Sequence, residues 1–374
     1  NSIIKHYALH DFPPEAVFLY KFLKYRPGIR FDSFTYSYLL KACGNAKLNR
    51  TGIQFHCAST KAGFDRHLYV QTALLNMYGD CGRFFDARYV FDEMPAKNLV
   101  SWNVLITGFV KSNRFDEALQ LFSTMALYTE MKPSEVTLLA IFPAIVNTGH
   151  VKLCQILHSY ILKSGFDVRI HNCLIDSYAK CGSIESAALV FQGMPVKNSV
   201  SWTSIISAYA IHGMPDEASE HFDRMENGGP SPNGVTFLTI LNGCSHGGLV
   251  EKGLEFYRKM VRDYDIEPDA KLYGCLVDLL GRVGRLEEAE RVALEIIPRD
   301  RLTVAIWRTL LGACSFHGNV EMGERINRRI MEMEEKHGGD YVLFSNILSS
   351  AGRFVDSEAV RSLSDKRNAS KLAG

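Results

Sequence analysis

Two sets of side chains in this 374-residue chain could do chemistry, and the first comprises nine cysteines and twelve histidines. Zinc needs ligands at close, fixed spacings. No CxxC pair occurs, and no HxE is followed by one, so a zinc deaminase signature is absent and no metal or cofactor is expected. Cys43, Cys244 and Cys314 instead close similar apolar segments (LLKAC, TILNGC, TLLGAC), and Cys81 and Cys181 each precede a glycine. That is the pattern of small residues buried between packed helices, and an odd number of unpaired thiols points to a reducing compartment. His56 and His158 occupy corresponding places (QFH, ILH) and read as packing or structural hydrogen-bonding groups.

The second set works by hydrogen bonding alone. Asn103 follows Trp102 and Thr203 follows Trp202, while Asp32, Asn98, Ser134, Asn198 and Asn233 each stand just before a helical pattern. An Asp can only accept, whereas Asn both donates and accepts. Taken singly, each is an ordinary helix-start residue whose side chain satisfies open backbone N–H groups. Recurring in phase, they form a line of polar groups on one surface.

The elements that carry this line repeat. MPAKNLVSWN (94–103) returns as MPVKNSVSWT (194–203), and NMYGDCGRFFDARYVFDEMP (76–95) returns as DSYAKCGSIESAALVFQGMP (176–195). In the unit 99–134, Trp102, Leu105, Ile106 and Phe109 fall at i, i+3, i+4 and i+7, predicting one amphipathic helix, and Ala118, Leu119, Phe122 and Met125 predict a second. Residues 111–114 form the turn, and Lys132 and Pro133 are expected to stop the second helix. The expected fold is therefore all-α: a right-handed α-solenoid (superhelix) of about ten to eleven helix-turn-helix repeats. The array should span 1–301, truncated at its N-terminal side, with a divergent helical extension over 302–374. The charged run EMEEKHGGD (332–340) reads as a solvated helix end. With 47% hydrophobic and 22% charged residues and a net charge of +1, no general basic field exists, so nucleic acid could be held only by local groups. No apolar run reaches the roughly 18 residues of a membrane span.

The alternation of VSWN/VSWT hairpins, GFD-ended hairpins (63–65 and 165–167) and YAKCG…MPxKN hairpins resembles the standard, long and short motifs of plant PLS-class pentatricopeptide repeat proteins. VDLLGRVGRLEEAE (277–290), LLGACSFHGNVEMGE (310–324) and GDYVLFSNILSSAGRF (339–354) resemble the last short motif and the two E motifs of the E subgroup. The resemblance implies single-stranded RNA as partner, read one base per repeat by a residue in the first helix and another at the repeat's end. On that code the reading pairs are Asn1 with Asp32 (U), Thr72 with Asn98 (A), Asn103 with Ser134 (C), Asn172 with Asn198 (C or U) and Thr203 with Asn233 (A), giving a site like 5′-U-x-A-C-x-Y-A. Val100 and Val200 match apolar clamps on the base faces. Ser37, Leu139 and Leu238 hold the first position of the long units, and those bases stay open.

The resemblance further implies no enzymatic activity in this chain, a role as site-recognition factor for C-to-U RNA editing in an organelle (the mitochondrion, with the chloroplast as alternative), and a deaminase-bearing partner recruited through the E-type extension. An organellar RNA stability or splicing factor, or a protein-binding helical scaffold, would use the same hairpins.

Overall fold

The computed structural model describes residues 2–9, 13–26, 29–334 and 337–366. Among them are 22 α-helices and no strand. The chain divides into two compact units, Asn1–Cys181 and Gly182–Gly374. The first unit holds α1 (Ser2–Leu9), α2 (Pro13–Leu23), α3 (Ser33–Asn45), α4 (Asn49–Lys61), α5 (Leu68–Asp80), α6 (Phe84–Glu93), α7 (Leu99–Lys111), α8 (Phe115–Tyr128), α9 (Glu135–Thr148), α10 (Val151–Ser164) and α11 (Val168–Lys180). The second holds α12 (Ile184–Gly193), α13 (Ser199–Ile211), α14 (Pro215–Gly228), α15 (Gly234–Gly247), α16 (Val250–Arg262), α17 (Ala270–Arg282), α18 (Leu286–Arg291), α19 (Val304–His317), α20 (Val320–Met333), α21 (Gly338–Ser350) and α22 (Phe354–Lys366).

Each unit stacks helix-turn-helix hairpins. The odd-numbered helices of a unit pack on one another in succession, α1 through α11 in the first and α13 through α21 in the second, and the even-numbered helices flank them. The repeated decapeptide explains itself locally. Met94 is buried, Lys97 Nζ donates to the Met94 carbonyl at 3.1 Å while lying over the Phe91 ring, and Asn98 caps α7. Trp102 then meets Phe91 edge-on, with centroids 4.7 Å apart. The second unit reproduces this: Lys197 donates to Met194 at 2.7 Å, and Phe191 meets Trp202 at 4.9 Å. Burial of these rings supplies the main favourable term of each hairpin. Between α7 and α8, Asn113 takes a positive φ of 57°, and Arg114 N–H closes onto Phe109 O at 2.9 Å.

Two expectations are corrected. α8 ends at Tyr128, ahead of Lys132 and Pro133, because the Thr129 hydroxyl donates to Met125 O and closes the last turn. Within the run 332–340, residues 332–334 are exposed, but Asp340 is 2% exposed and accepts a two-pronged Arg308 pair at 2.7 Å from each donor, and Glu334 joins at 2.8 Å. His56 and His158 are structural, their Nδ1 atoms 2.8 and 3.4 Å from the hydroxyls of Tyr78 and Tyr178. The cysteines are free thiols, with Cys43, Cys154, Cys244 and Cys314 buried. No helix among the described residues is long and apolar enough to cross a membrane.

Helix spacing is set by small residues. A Cβ on Gly243 would fall 2.8 Å from that of Ala210, which has no torsion with which to move away. Gly243→Ala is expected to lower stability by about 1–2 kcal/mol, because overpacking outweighs the gain of roughly 1 kcal/mol in helix propensity. Gly274, on α17 with nothing near its missing Cβ, should gain about 0.5–1 kcal/mol as Ala; urea melts of the two variants check both signs.

Burial holds His56 and His158 below the usual imidazole range. Such a group penalises the fold only where the unfolded chain binds the proton more readily. Stability is thus complete above about pH 6.5 and is lost as pH falls through the lowered values. Urea midpoints should fall between pH 7.5 and 5, and the fall should shrink in the His56→Gln/His158→Gln double variant.

Candidate nucleic-acid interface

The polar line is built at the first turns of the odd-numbered helices. A helix start leaves N–H groups without partners, and the residue before α3, α7, α9, α11, α13, α15 and α17 supplies an oxygen. Asp32 Oδ1 accepts the Thr35 N–H and hydroxyl, both at 2.8 Å. Asn98 Oδ1 accepts Ser101 N–H at 2.9 Å, and Asn198 Oδ1 accepts Ser201 N–H at 3.0 Å. Ser134 Oγ accepts Thr137 N–H at 3.4 Å, and Asn233 Oδ1 accepts from Val235 and Thr236 at 3.0 and 3.1 Å.

Capping and recognition are compatible in one side chain. An Asn whose oxygen serves the helix keeps two N–H donors for a ligand, whereas a capping Asp has only acceptors to offer. The cap therefore turns residue identity into a fixed hydrogen-bonding face.

Two of the expected pairs converge through a third residue. Asn103 Oδ1 accepts the Thr137 hydroxyl at 2.7 Å, and that oxygen lies 3.0 Å from Ser134 Oγ. Thr203 Oγ1 lies 3.0 Å from Thr236 Oγ1, which donates to Asn233 Oδ1 at 3.3 Å. Side chains some thirty positions apart in the chain thus meet at one buried hydroxyl in each unit. The remaining pairs are placed differently. The Thr72 hydroxyl donates to Leu68 O within its own helix, while Asn98 caps the next. Asn172 is buried in the first unit and Asn198 is exposed in the second. Asn1 lies outside the described residues.

Val100 and Val200 stand in the first turn, 52% and 57% exposed. The same register holds four further exposed apolar residues that sequence reasoning missed: Phe34, Tyr69, Val136 and Val235. Their signal was present, one position after each helix start. Phe34 and Tyr69 lie ring to ring at 5.8 Å. In the first unit, Val100, Asn103 and Val136 share a groove of about 720 Å³ with Lys47 and Lys111. Flat apolar faces flank hydrogen-bonding edges, with cations nearby: an arrangement suited to planar, polar, anionic units in series. No group of residues that could hold a metal ion occurs among the described residues.

Such a row of capped, edge-presenting hairpins defines a helical-repeat binding protein. PPR repeat models match 72–99, 169–199, 235–264 and 272–297, a PPR repeat family model matches 97–147 and 197–246, and an E motif model matches 317–374. A mitochondrial pentatricopeptide repeat-containing protein of Arabidopsis thaliana is 45% identical over all of this chain and 83% of its own length. The chloroplastic Arabidopsis protein CRR2 is 36% identical over all of this chain and 58% of its length. The chain belongs to the pentatricopeptide repeat family and carries its E motif. In fold it resembles PPR10 from maize (TM-score 0.61, 19% identity, 99% of this chain and 58% of that one) and PPR10 in complex with an 18-nt psaJ RNA element (TM-score 0.66, 18% identity, 98% and 60%).

The cap geometry predicts how stability follows substitution. Asn233→Ala, which removes the oxygen that accepts from Val235 and Thr236, should cost about 1 kcal/mol. Asn233→Asp keeps that oxygen and should leave the urea midpoint nearly unchanged.

Proposed function

We propose that the chain binds single-stranded RNA sequence-specifically, one base per repeat, along the face of the odd-numbered helices. The observation that carries this reading is the pairing of Asn103 with Ser134 and of Thr203 with Asn233 across one buried hydroxyl each, beside exposed Val100 and Val200. Asn1, Asp32, Thr72, Asn98, Asn172 and Asn198 complete the set of readers that the repeat pattern points to. The array spans 1–301, and the E-type extension spans 302–374. The chain works by binding, and any chemistry comes from another protein.

The finer reading is site recognition for C-to-U editing in an organelle, the mitochondrion before the chloroplast, with a deaminase supplied in trans through the extension. The E motif and the mitochondrial and chloroplastic designations of the relatives support it. That PPR10 has been solved with an RNA element supports RNA as the ligand.

The test is a gel shift with RNA carrying 5′-U-x-A-C-x-Y-A against a scrambled strand. The matched strand should bind about tenfold tighter or more; equal binding would leave only a nonspecific or protein-binding scaffold. Asn233→Asp exchanges a donor for an acceptor at the base facing Thr203, so preference there should move from A to G. An unchanged preference would remove Asn233 from the readout. Sequencing transcripts from plants lacking the protein then separates editing, which loses specific C-to-U conversions, from stabilisation, which loses transcript abundance.

A further inference from the structure

Neither the reading pairs nor the clamps account for why Thr137 and Thr236, both fully buried, meet the preceding repeat through their side-chain oxygens, Thr137 donating to Asn103 Oδ1 and Thr236 lying against Thr203 Oγ1. Each is the third residue of its helix and belongs to the capping box of that helix. Capping needs only the N–H of this position and, for the reciprocal bond, a lone pair of its side chain. Thr137 Oγ1 accepts the Ser134 N–H at 3.1 Å. Its proton is the surplus, and it goes to Asn103 Oδ1 at 2.7 Å across 34 positions of sequence.

Resting on the RNA-binding reading, we infer that Thr137, the third residue of α9, is a positioning residue for the base contact of Asn103 in the repeat before it. A carboxamide free to turn presents either its oxygen or its NH2 to a base, and so tells donor from acceptor edges poorly. The Thr137 hydroxyl binds the oxygen of Asn103 and so fixes the NH2 as the group left for the base. The base edge met there must then carry an acceptor, as the O2 of a pyrimidine does. The specificity of this repeat thus depends on three residues: its first-helix reader Asn103, its last residue Ser134 and Thr137 of the next repeat.

The molecule contains its own contrast. At the same two places further along, the reader position holds Arg308 and the third position of α21 holds Asp340. The pair closes into a two-pronged ion pair at 2.7 Å, with Glu334 on the same guanidinium. All the anchoring is inward, so this repeat offers no selective edge. By the same rule, base reading stops before the extension.

The experiment uses the whole chain with Thr137→Val, which keeps shape and removes the hydroxyl, and Thr137→Ser, which keeps the hydroxyl. Each variant is titrated with four RNAs differing only at the base facing Asn103. The quantity read is the ratio of Kd values among the four. A variant that merely loses stability weakens all four alike and leaves the ratios untouched. The wild type should prefer pyrimidine; Thr137→Val should reduce that preference by about fivefold, as expected for one lost hydrogen bond, and Thr137→Ser should restore it. A retained preference in Thr137→Val would overturn the positioning role while leaving the RNA reading intact. No preference in the wild type would overturn the RNA reading at this repeat and the positioning role with it.

Discussion

The structure depends on the way each odd-numbered helix begins. Four N–H groups of a helix start lack partners inside the helix, and in a stack of hairpins those starts lie side by side along one edge of a unit. A side-chain oxygen before most of these helices reduces that cost by accepting from one or two of the open groups. Since it does so with one atom of a two-faced group, the remaining face is held in a defined direction. On the proposed reading, stability and recognition therefore use different atoms of the same side chain without competing, as at Asn98 and Asn233. Reading such a residue as either a cap or a ligand contact poses a false choice.

Around that edge the packing does little that is specific to any ligand. Phe91 against Trp102 and Phe191 against Trp202 recur with the same geometry, and small residues such as Gly243 against Ala210 set the approach of successive helices. Such contacts make the hairpins interchangeable. Among the differences between the repeats 99–134 and 199–233 are the polar edge residues, where Asn103 is replaced by Thr203 and Ser134 by Asn233. The scaffold is uniform so that the edge can vary.

Most of the fold was legible in the sequence, because helical periodicity and a hundred-residue repeat are local or translational patterns. The cap residues were legible for the same reason. The Thr137–Asn103 bond was not: it joins side chains 34 positions apart, and Thr137 taken alone is an ordinary first-turn threonine. Asp340 was misread because a charge run says nothing about a partner on another helix, here Arg308. The end of α8 was misplaced since the Thr129 hydroxyl closes the helix before the proline can. Val136 and Val235 escaped notice because they lie in long units without a tryptophan to mark the register. Burial of Asn172 depends on tertiary packing that no spacing rule contains.

The charge balance limits how an array of this kind can achieve selectivity. With 42 basic and 41 acidic residues, it has little net field to gather a polyanion. Many of its arginines are already engaged within the protein: Arg83, Arg114, Arg285 and Arg353, each just before a second helix, pair with Asp86, Glu117, Glu288 and Asp356 three residues on. These pairs brace hairpin turns and withdraw cations from general attraction. Wrong sequences thus gain little from phosphate contacts alone, and discrimination falls to the base-edge groups. An edge group discriminates only as sharply as it is oriented. On the proposed reading, that makes the buried Thr137 hydroxyl behind Asn103 as consequential as the reader itself.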